Sequence, residues 1–213
     1  MSGDADAIDL DAGRRLFARE CRFIAGATTT QVMPPADLPE IAFAGRSNVG
    51  KSSLINALTG HSTLARVSHT PGRTQQVNFF ELGGRLILVD LPGFGFAKAA
   101  KRRVRGWTGL IERYLSGRPS LRRVCLLIDA RRGAMAVDRG FMARLDEAAV
   151  SYQIAVTKVD KLKPSELAAR IDGLAAELKQ HPAAHPEIIA TSAHGGSGIA
   201  ELRAALAALA QFD

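Results

Sequence analysis

Residues 45–53 read Gly-Arg-Ser-Asn-Val-Gly-Lys-Ser-Ser, a complete GxxxxGK[ST] pattern, and no other stretch constrains the fold as tightly. The apolar run Ile41-Ala42-Phe43-Ala44 precedes it as a buried strand. A helical pattern follows, with Leu54, Ile55 and Leu58 on one face and Gly60 placed to end the helix. A strand that runs through a glycine-rich turn into a helix is the opening unit of a parallel α/β sheet. The glycines let successive N–H groups of Gly45, Arg46, Ser47, Asn48, Val49 and Gly50 point inward at a polyphosphate, and the helix N-terminus adds donors and partial positive charge. Lys51 is placed to reach the β- and γ-phosphates, and the Ser52 hydroxyl to ligate Mg²⁺. A plain turn would account for the glycines but not for the Lys-Ser pair. The pattern predicts a nucleoside triphosphate site.

The rest of the chain fits such a sheet. Apolar runs at Ile41–Ala44, Leu86–Val89, Val124–Ile128, Ile154–Val156 and Ile188–Ala190 alternate with helical patterns, among them Leu167, Ile171, Leu174 and Leu178 after Pro164, and Ile199, Leu202, Leu206 and Leu209 at the end. Near-continuous apolar strands separated by helices predict a largely parallel sheet covered on both faces. Gln75–Leu82 passes through Gly83-Gly84 straight into Arg85–Val89, which leaves room only for a hairpin. One strand is therefore expected to be antiparallel and to lie at the sheet edge, giving six strands in all. Residues 1–38, ending in a stretch with Pro34 and Pro35, read as a partly ordered extension, and 39–213 as one domain.

The chain has 213 residues, 46% of them hydrophobic, which suits one domain with a sizeable core. No apolar stretch approaches the roughly 20 residues that span a bilayer. The acidic start Met-Ser-Gly-Asp-Ala-Asp-Ala lacks the order of a secretory signal. Cys21 and Cys125 are the only cysteines; Cys125 lies inside an apolar run, as befits a buried reduced thiol in the cytoplasm. The net charge of +7 favours association with polyanions, though moderate positive charge also serves solubility.

Three further motifs narrow the nucleotide. Asp90-Leu91-Pro92-Gly93 follows the run Leu86–Val89, putting a carboxylate at a strand's C-terminal end, where open α/β sheets bind ligands. Asp90 would hold Mg²⁺ through water, and the Gly93 N–H can meet the γ-phosphate. Thr157-Lys158-Val159-Asp160 matches the guanine-specificity motif [NT]KxD. Asp160 can accept from N1–H and the 2-amino group of guanine, donors that adenine does not offer there, and sites of this kind discriminate strongly. The Lys158 stem would lie along the base. Thr191-Ser192-Ala193 resembles the loop that closes over guanine through a backbone N–H. Each motif is weak alone; in this order, each after a strand of one parallel sheet, they converge on a guanine nucleotide and on a Ras-like P-loop GTPase of the α/β class. Between the first helix and the hairpin, where such proteins carry their first switch, Thr70 and Thr74 both qualify chemically as a metal ligand that engages only with the γ-phosphate present.

The long matches are more specific still. GRSNVGKSSLINAL at 45–58, TPGRTQQVNFF at 70–80, VDLPGFGFAK at 89–98 and TKVD at 157–160 resemble the EngB (also called YihA or YsxC) family of bacterial ribosome-assembly GTPases, one branch of the TrmE-Era-EngA-EngB-septin-like P-loop GTPases. The resemblance runs from about Leu38 to the C-terminus. It implies that Thr74 is the Mg²⁺ ligand of the first switch and that Gly72, Arg73, Thr74, Gln75 and Gln76 form the loop over the nucleotide. It also implies a role in maturation of the large ribosomal subunit and in normal cell division and septation. Phe94 stands where a water-positioning glutamine would otherwise follow DxPG, so slow intrinsic hydrolysis is expected. In related GTPases an asparagine at the place of Asn48 helps hold K⁺ beside the phosphates; here it either does so or supports the turn. Lys51 and Asn48 are thus the expected catalytic groups.

Basic residues Lys98, Lys101, Arg102, Arg103 and Arg105 follow the second switch, and Arg131 and Arg132 follow the run Val124–Ile128 on the nucleotide side. Their position beside a switch favours contact with ribosomal RNA over a merely solvated face. Arg122 and Arg123 are expected before that strand, at the opposite edge. The expected partners are GTP and GDP and the large ribosomal subunit with its RNA, with no membrane, the protein being a monomer. A GTP-dependent septum scaffold without a direct ribosomal role is the alternative. A metabolic P-loop kinase would need no guanine motif.

Overall fold

A computed structural model describes residues 9–61, 63–65, 76–94 and 101–210, apart from the side chains of 101–108. In chain order it shows α1 (Leu10–Phe17), β1 (Cys21–Ala27), β2 (Glu40–Gly45), α2 (Lys51–Thr59), β3 (Val77–Leu82), β4 (Leu86–Asp90), α3 (Lys101–Gly117), β5 (Leu121–Asp129), α4 (Ala136–Glu147), β6 (Tyr152–Thr157), α5 (Pro164–Leu178), β7 (Ile189–Ala190) and α6 (Ile199–Ala207). The strands form one sheet in the order β1-β3-β4-β2-β5-β6-β7. From β4 to β7 the pairing is parallel, whereas β3 runs antiparallel to both neighbours.

This is the expected α/β class with two corrections. There are seven strands in the sheet rather than six, and the antiparallel β3 is not at the edge. The reason is β1, which pairs with β3 from Cys21↔Leu82 to Ala27↔Val77 and so covers it. The hairpin rule located β3 correctly beside β4 but could not see that a segment about 50 residues earlier in the chain supplies the next strand. Nor do Arg122 and Arg123 precede their strand: they lie within the first turns of the pleat of β5, still at the edge opposite the nucleotide motifs.

Helices bury both faces. On one, Phe79, Val89, Leu126 and Ile128 pack with Tyr114 of α3 and Met142 of α4; on the other, Phe43, Leu88 and Leu127 pack with Leu54 and Leu58 of α2 and Leu202 and Leu206 of α6. Helix α1 joins the second layer through Leu16 and Phe17, each nearly fully buried. Burial of side chains of this size contributes about 1.5–3 kcal/mol apiece. Arg203 of α6 binds the layer together: its guanidinium donates to the Leu58 and Ala57 carbonyls at the end of α2, at 2.8 and 3.1 Å, and lies 5.8 Å from the Phe17 ring centre. Asp9 caps α1 by accepting from the Ala12 N–H.

A buried polar hub ties residues ahead of the sheet to α3. Glu40 is fully buried and accepts from the Tyr114 hydroxyl at 2.9 Å and from Arg118 Nε and Nη2 at 2.9 and 2.5 Å. Arg118 also donates to the Pro34 carbonyl at 2.8 Å and lies 5.7 Å from the Phe79 ring centre. Cys21 and Cys125 are free and buried, and burial pushes both thiols up to about 12. No described helix is long and apolar enough to cross a membrane.

Candidate functional site

The parallel strands all end at one edge, at Gly45, Asp90, Asp129, Thr157 and Ala190, with Asp129 directly beside Thr157. From Gly45 the chain turns through Arg46–Gly50 into α2. Asn48 and Gly50 take left-handed φ angles of 65° and 107°, so the loop folds back on itself before the helix begins. Gly50 is the N-cap of α2 and offers no side-chain acceptor. The first N–H groups of α2 therefore have no side-chain cap and are free to bind an anion.

Backbone contacts bind this loop to the strand end beside it. Phe94 N–H donates to the Gly45 carbonyl and Ser47 N–H to the Phe94 carbonyl, each at 3.2 Å, while Leu91 N–H donates to Phe43 at 3.0 Å. Gly93 eases this approach: a Cβ there would stand a tight 3.1 Å from the Ser47 backbone. Lys51 Nζ is ion-paired with Asp90, so the lysine and the carboxylate expected to serve phosphate and metal face each other. Leu91, Pro92 and Val49 are buried, so only their backbone is placed to meet a ligand at this edge. Phe94 turns its ring away from the loop and stacks on Phe141 of α4, centroids 4.8 Å apart. Arg46 likewise points into α4: its Nε lies 3.1 Å from the fully buried Asp138 carboxylate and its Nη1 2.7 Å from the Met135 sulfur. Burial raises the Asp138 carboxyl above its ordinary value, against a hydrogen bond from the Met135 N–H and the nearby Arg46 charge.

At the other end of the loop a cavity of about 160 Å³ lies between Gly50 and Leu54 on one side and Lys158, Asp160, Thr191 and Ala193 on the other. Its walls are cross-linked to the phosphate loop. The Thr157 hydroxyl donates to the Val49 carbonyl at 2.7 Å, and Lys158 Nζ donates to the Asn48 carbonyl at 2.6 Å. Ser192, itself buried, donates to Asp160 Oδ1 at 2.7 Å, and Lys161 Nζ lies 3.1 Å from Asp160 Oδ2. Those two contacts, the serine first, hold the Asp160 carboxyl below the usual carboxylate range, ionised and acceptor-only. Val159 N–H donates to the Thr191 carbonyl at 3.3 Å, joining the two base-side loops.

The structure thus brings together Gly45–Ser52, Asp90–Gly93, Thr157–Asp160 and Thr191–Ala193. Gly72, Arg73, Thr74 and Gln75, with Thr70, lie outside the described residues, as does Lys98. Gln76 is described, and its side chain donates to Asn78 at 3.0 Å and packs against Gly26 of β1. Lys101, Arg102, Arg103 and Arg105 fall on the first turns of α3, and their side chains are not described. Arg132 is exposed at the nucleotide edge, whereas Arg131 is bound to Asp129 by two hydrogen bonds of 2.9 and 2.7 Å. Sequence reasoning missed Asp129, which also accepts from Lys158 Nζ at 3.0 Å, and His194 and Lys161, which line the cavity beside Gly50. Burial opposes ionisation of Asp129, but Arg131 and Lys158 outweigh it and hold its carboxyl well below the usual range.

A strand–loop–helix phosphate cradle, a DxPG carboxylate and a base cavity floored by an ionised aspartate, all at one edge of a mostly parallel sheet, define a P-loop GTPase. The family model described as "50S ribosome-binding GTPase" matches residues 40–158. The "probable GTP-binding protein EngB" of Bradyrhizobium diazoefficiens is 58% identical over 211 residues, covering 98% of this chain and 97% of that protein. Its namesake in Rhodospirillum rubrum is 58% identical over 206 residues, covering 94% and 89%. The chain belongs to the EngB family of GTP-binding proteins. Among solved structures, a probable GTP-binding protein engB superposes with a TM-score of 0.61 at 28% identity, over 79% of this chain and 97% of that one. Era from Aquifex aeolicus, bound to GDP and AlF4⁻, superposes at 0.65 with 22% identity, over 82% of this chain and 57% of that one, a likeness of fold.

Proposed function

We propose that this GTPase is a molecular switch in assembly of the large ribosomal subunit, working in the cytoplasm as a monomer and needed for normal cell division and septation. The observation that carries the guanine part is the base cavity, where Asp160, oriented by Ser192, stands beside a lysine fastened to the phosphate loop. The ribosomal part is supported by the family model, whose description names the 50S ribosome, and by the basic residues near the second switch. All the nucleotide motifs fall within 39–213, the proposed GTPase domain, with 1–38 as an extension that supplies α1 and the edge strand β1 of the same sheet.

In this reading Asp160 accepts from N1–H and the 2-amino group of guanine, the Lys158 stem lies along the base, and the Thr191-Ser192-Ala193 backbone closes over it. The N–H groups of Asn48 and Gly50–Ser52 hold the phosphates, those of Ser47 and Val49 being committed to the Phe94 and Arg46 carbonyls, with Lys51 exchanging Asp90 for phosphate oxygens. The oxygen donors present, the Ser52 hydroxyl and the Asp90 carboxylate, suit a hard cation such as Mg²⁺, and Thr74 would complete the protein's share. Bound there, Mg²⁺ would neutralise charge on the β- and γ-phosphate oxygens. Phe94 packs its ring into α4 and leaves its backbone beside the phosphate loop, so among the described residues of the second switch no side chain orients water, and intrinsic hydrolysis is slow. Asn48 would help hold K⁺ beside the phosphates, and an ion there would supply the missing transition-state charge.

Two nucleotide states should sort differently with ribosomes. Co-sedimentation with large subunits is expected to be strong with a non-hydrolysable GTP analogue and weak with GDP, and to weaken as salt rises. Equal pelleting in both states, or none in either, would refute a GTP-gated ribosomal role; concentration-dependent light scattering with GTP would then point to a septum scaffold.

A further inference from the structure

Asp129 belongs to none of the nucleotide motifs, yet it is buried at the end of β5, 3% exposed, at the sheet edge where those motifs gather. Its carboxylate accepts four hydrogen bonds from two residues: Arg131 donates through its backbone N–H at 3.1 Å, Nε at 2.9 Å and Nη2 at 2.7 Å, and Lys158 through Nζ at 3.0 Å. The same Lys158 ammonium donates to the Asn48 carbonyl at 2.6 Å. Lys158 itself sits at φ 60°, a left-handed conformation that a residue with a side chain keeps only when its surroundings hold it. A lysine stem has four rotatable bonds, and one acceptor does not fix them. Two acceptors on separate elements do, and they hold the stem at the wall of the cavity beside Gly50, with Cε 3.5 Å from the place a Cβ on Gly50 would occupy.

We infer that Asp129 is a positioning residue of the guanine-nucleotide site: it holds Lys158 in a two-point clamp against the phosphate loop, and so keeps the lysine stem in place as the wall on which the base packs. In this role Asp129 acts through Lys158 and not on the nucleotide itself. The inference rests on the reading of Lys158 as a base-packing residue. A purely structural ion pair would predict a different outcome, namely lost stability with guanine-nucleotide affinity intact.

The test is a double-mutant cycle read by the dissociation rate and Kd of a fluorescent GDP, with the melting temperature of nucleotide-free protein measured alongside. Lys158→Met keeps the stem and deletes the ammonium. Asp129→Asn is expected to raise the Kd for GDP about tenfold, the scale on which residues of one ion-pair network couple. The double variant is expected to be no worse than Lys158→Met alone, because both changes remove the same clamp. Should Asp129→Asn not accumulate as folded protein, Asp129→Glu, which keeps the charge and displaces it by one methylene, is expected to speed GDP release severalfold. GDP binding within twofold of the unmodified protein in the Asp129 variant, or effects of the two single changes that add, would overturn the inference. Unchanged GDP binding in Lys158→Met would instead overturn the reading of Lys158 on which it stands.

Discussion

The two ends of the candidate site are built by different means. At the base end, side chains from separate loops are cross-linked to one another and to the phosphate loop: Thr157 to Val49, Lys158 to Asn48 and Asp129, Ser192 to Asp160. At the phosphate end the described contacts are mostly backbone to backbone, Gly45 to Phe94, Phe94 to Ser47 and Phe43 to Leu91, with Lys51 facing Asp90. The base is the same in GTP and GDP, so a pre-arranged wall of side chains costs nothing when the nucleotide changes. The γ-phosphate is what differs, and an end made of N–H groups and one exchangeable ion pair can answer its presence.

The sharpest way to break the contrast is at Asp160. Asp160→Asn turns an acceptor pair into one acceptor and one donor, leaving the guanine 2-amino group facing an amide N–H. Preference for guanosine over xanthosine nucleotides is expected to reverse, with guanine affinity falling by on the order of 10⁴-fold, as for sites whose buried polar groups lose their complement. Competition binding with GDP, XDP and ADP measures this. Retained GDP preference in the variant would mean that the cavity beside Gly50 is not the base site.

The phosphate end should respond to the cation instead. If K⁺ stands in for an arginine finger, GTP turnover in KCl should exceed that in NaCl at equal ionic strength by about 10³-fold, the lower end of what such a charge contributes. Asn48→Ala should remove most of the difference and leave GDP affinity nearly unchanged. Equal rates in the two salts would assign activation to a partner and confine Asn48 to shaping the turn, for which its φ of 65° already suits it.

The same contrast explains what could be read from the sequence. The phosphate loop, DxPG and TKVD were legible because each packs its chemistry into a few consecutive residues after an apolar run. Asp129 was not, since its partner Lys158 stands 29 residues away and only the parallel pairing of β5 with β6 sets them side by side. β1 escaped for a related reason. Its exposed middle, Arg22 to Ile24, shows no alternation of apolar and polar residues, and its register shifts between Phe23 and Ala25. Its strand character comes from pairing with β3 rather than from local preference. α1, with Asp9 as cap and Leu16 and Phe17 as its buried face, carried a start signal within a stretch read only as an extension.

The hub at Glu40 lies at the far end of β2 from the phosphate loop and tests whether the two ends of the site are insulated from the frame beneath them. Arg118→Ala removes both hydrogen bonds that neutralise the fully buried Glu40 carboxylate, the bond to the Pro34 carbonyl and the cation over Phe79. Leaving one partner of a buried pair uncompensated destabilises by about 3–5 kcal/mol, so urea unfolding of nucleotide-free protein should show a loss on that scale. Replacing both partners, Glu40→Gln with Arg118→Met, should recover part of it, since no buried charge then remains. Preference for GDP over ADP is expected to stay unchanged in either variant that folds, because the clamp on Lys158 and the Ser192–Asp160 bond do not draw on the hub. Loss of selectivity together with stability would show that the base end is held by the whole sheet and not by its own cross-links.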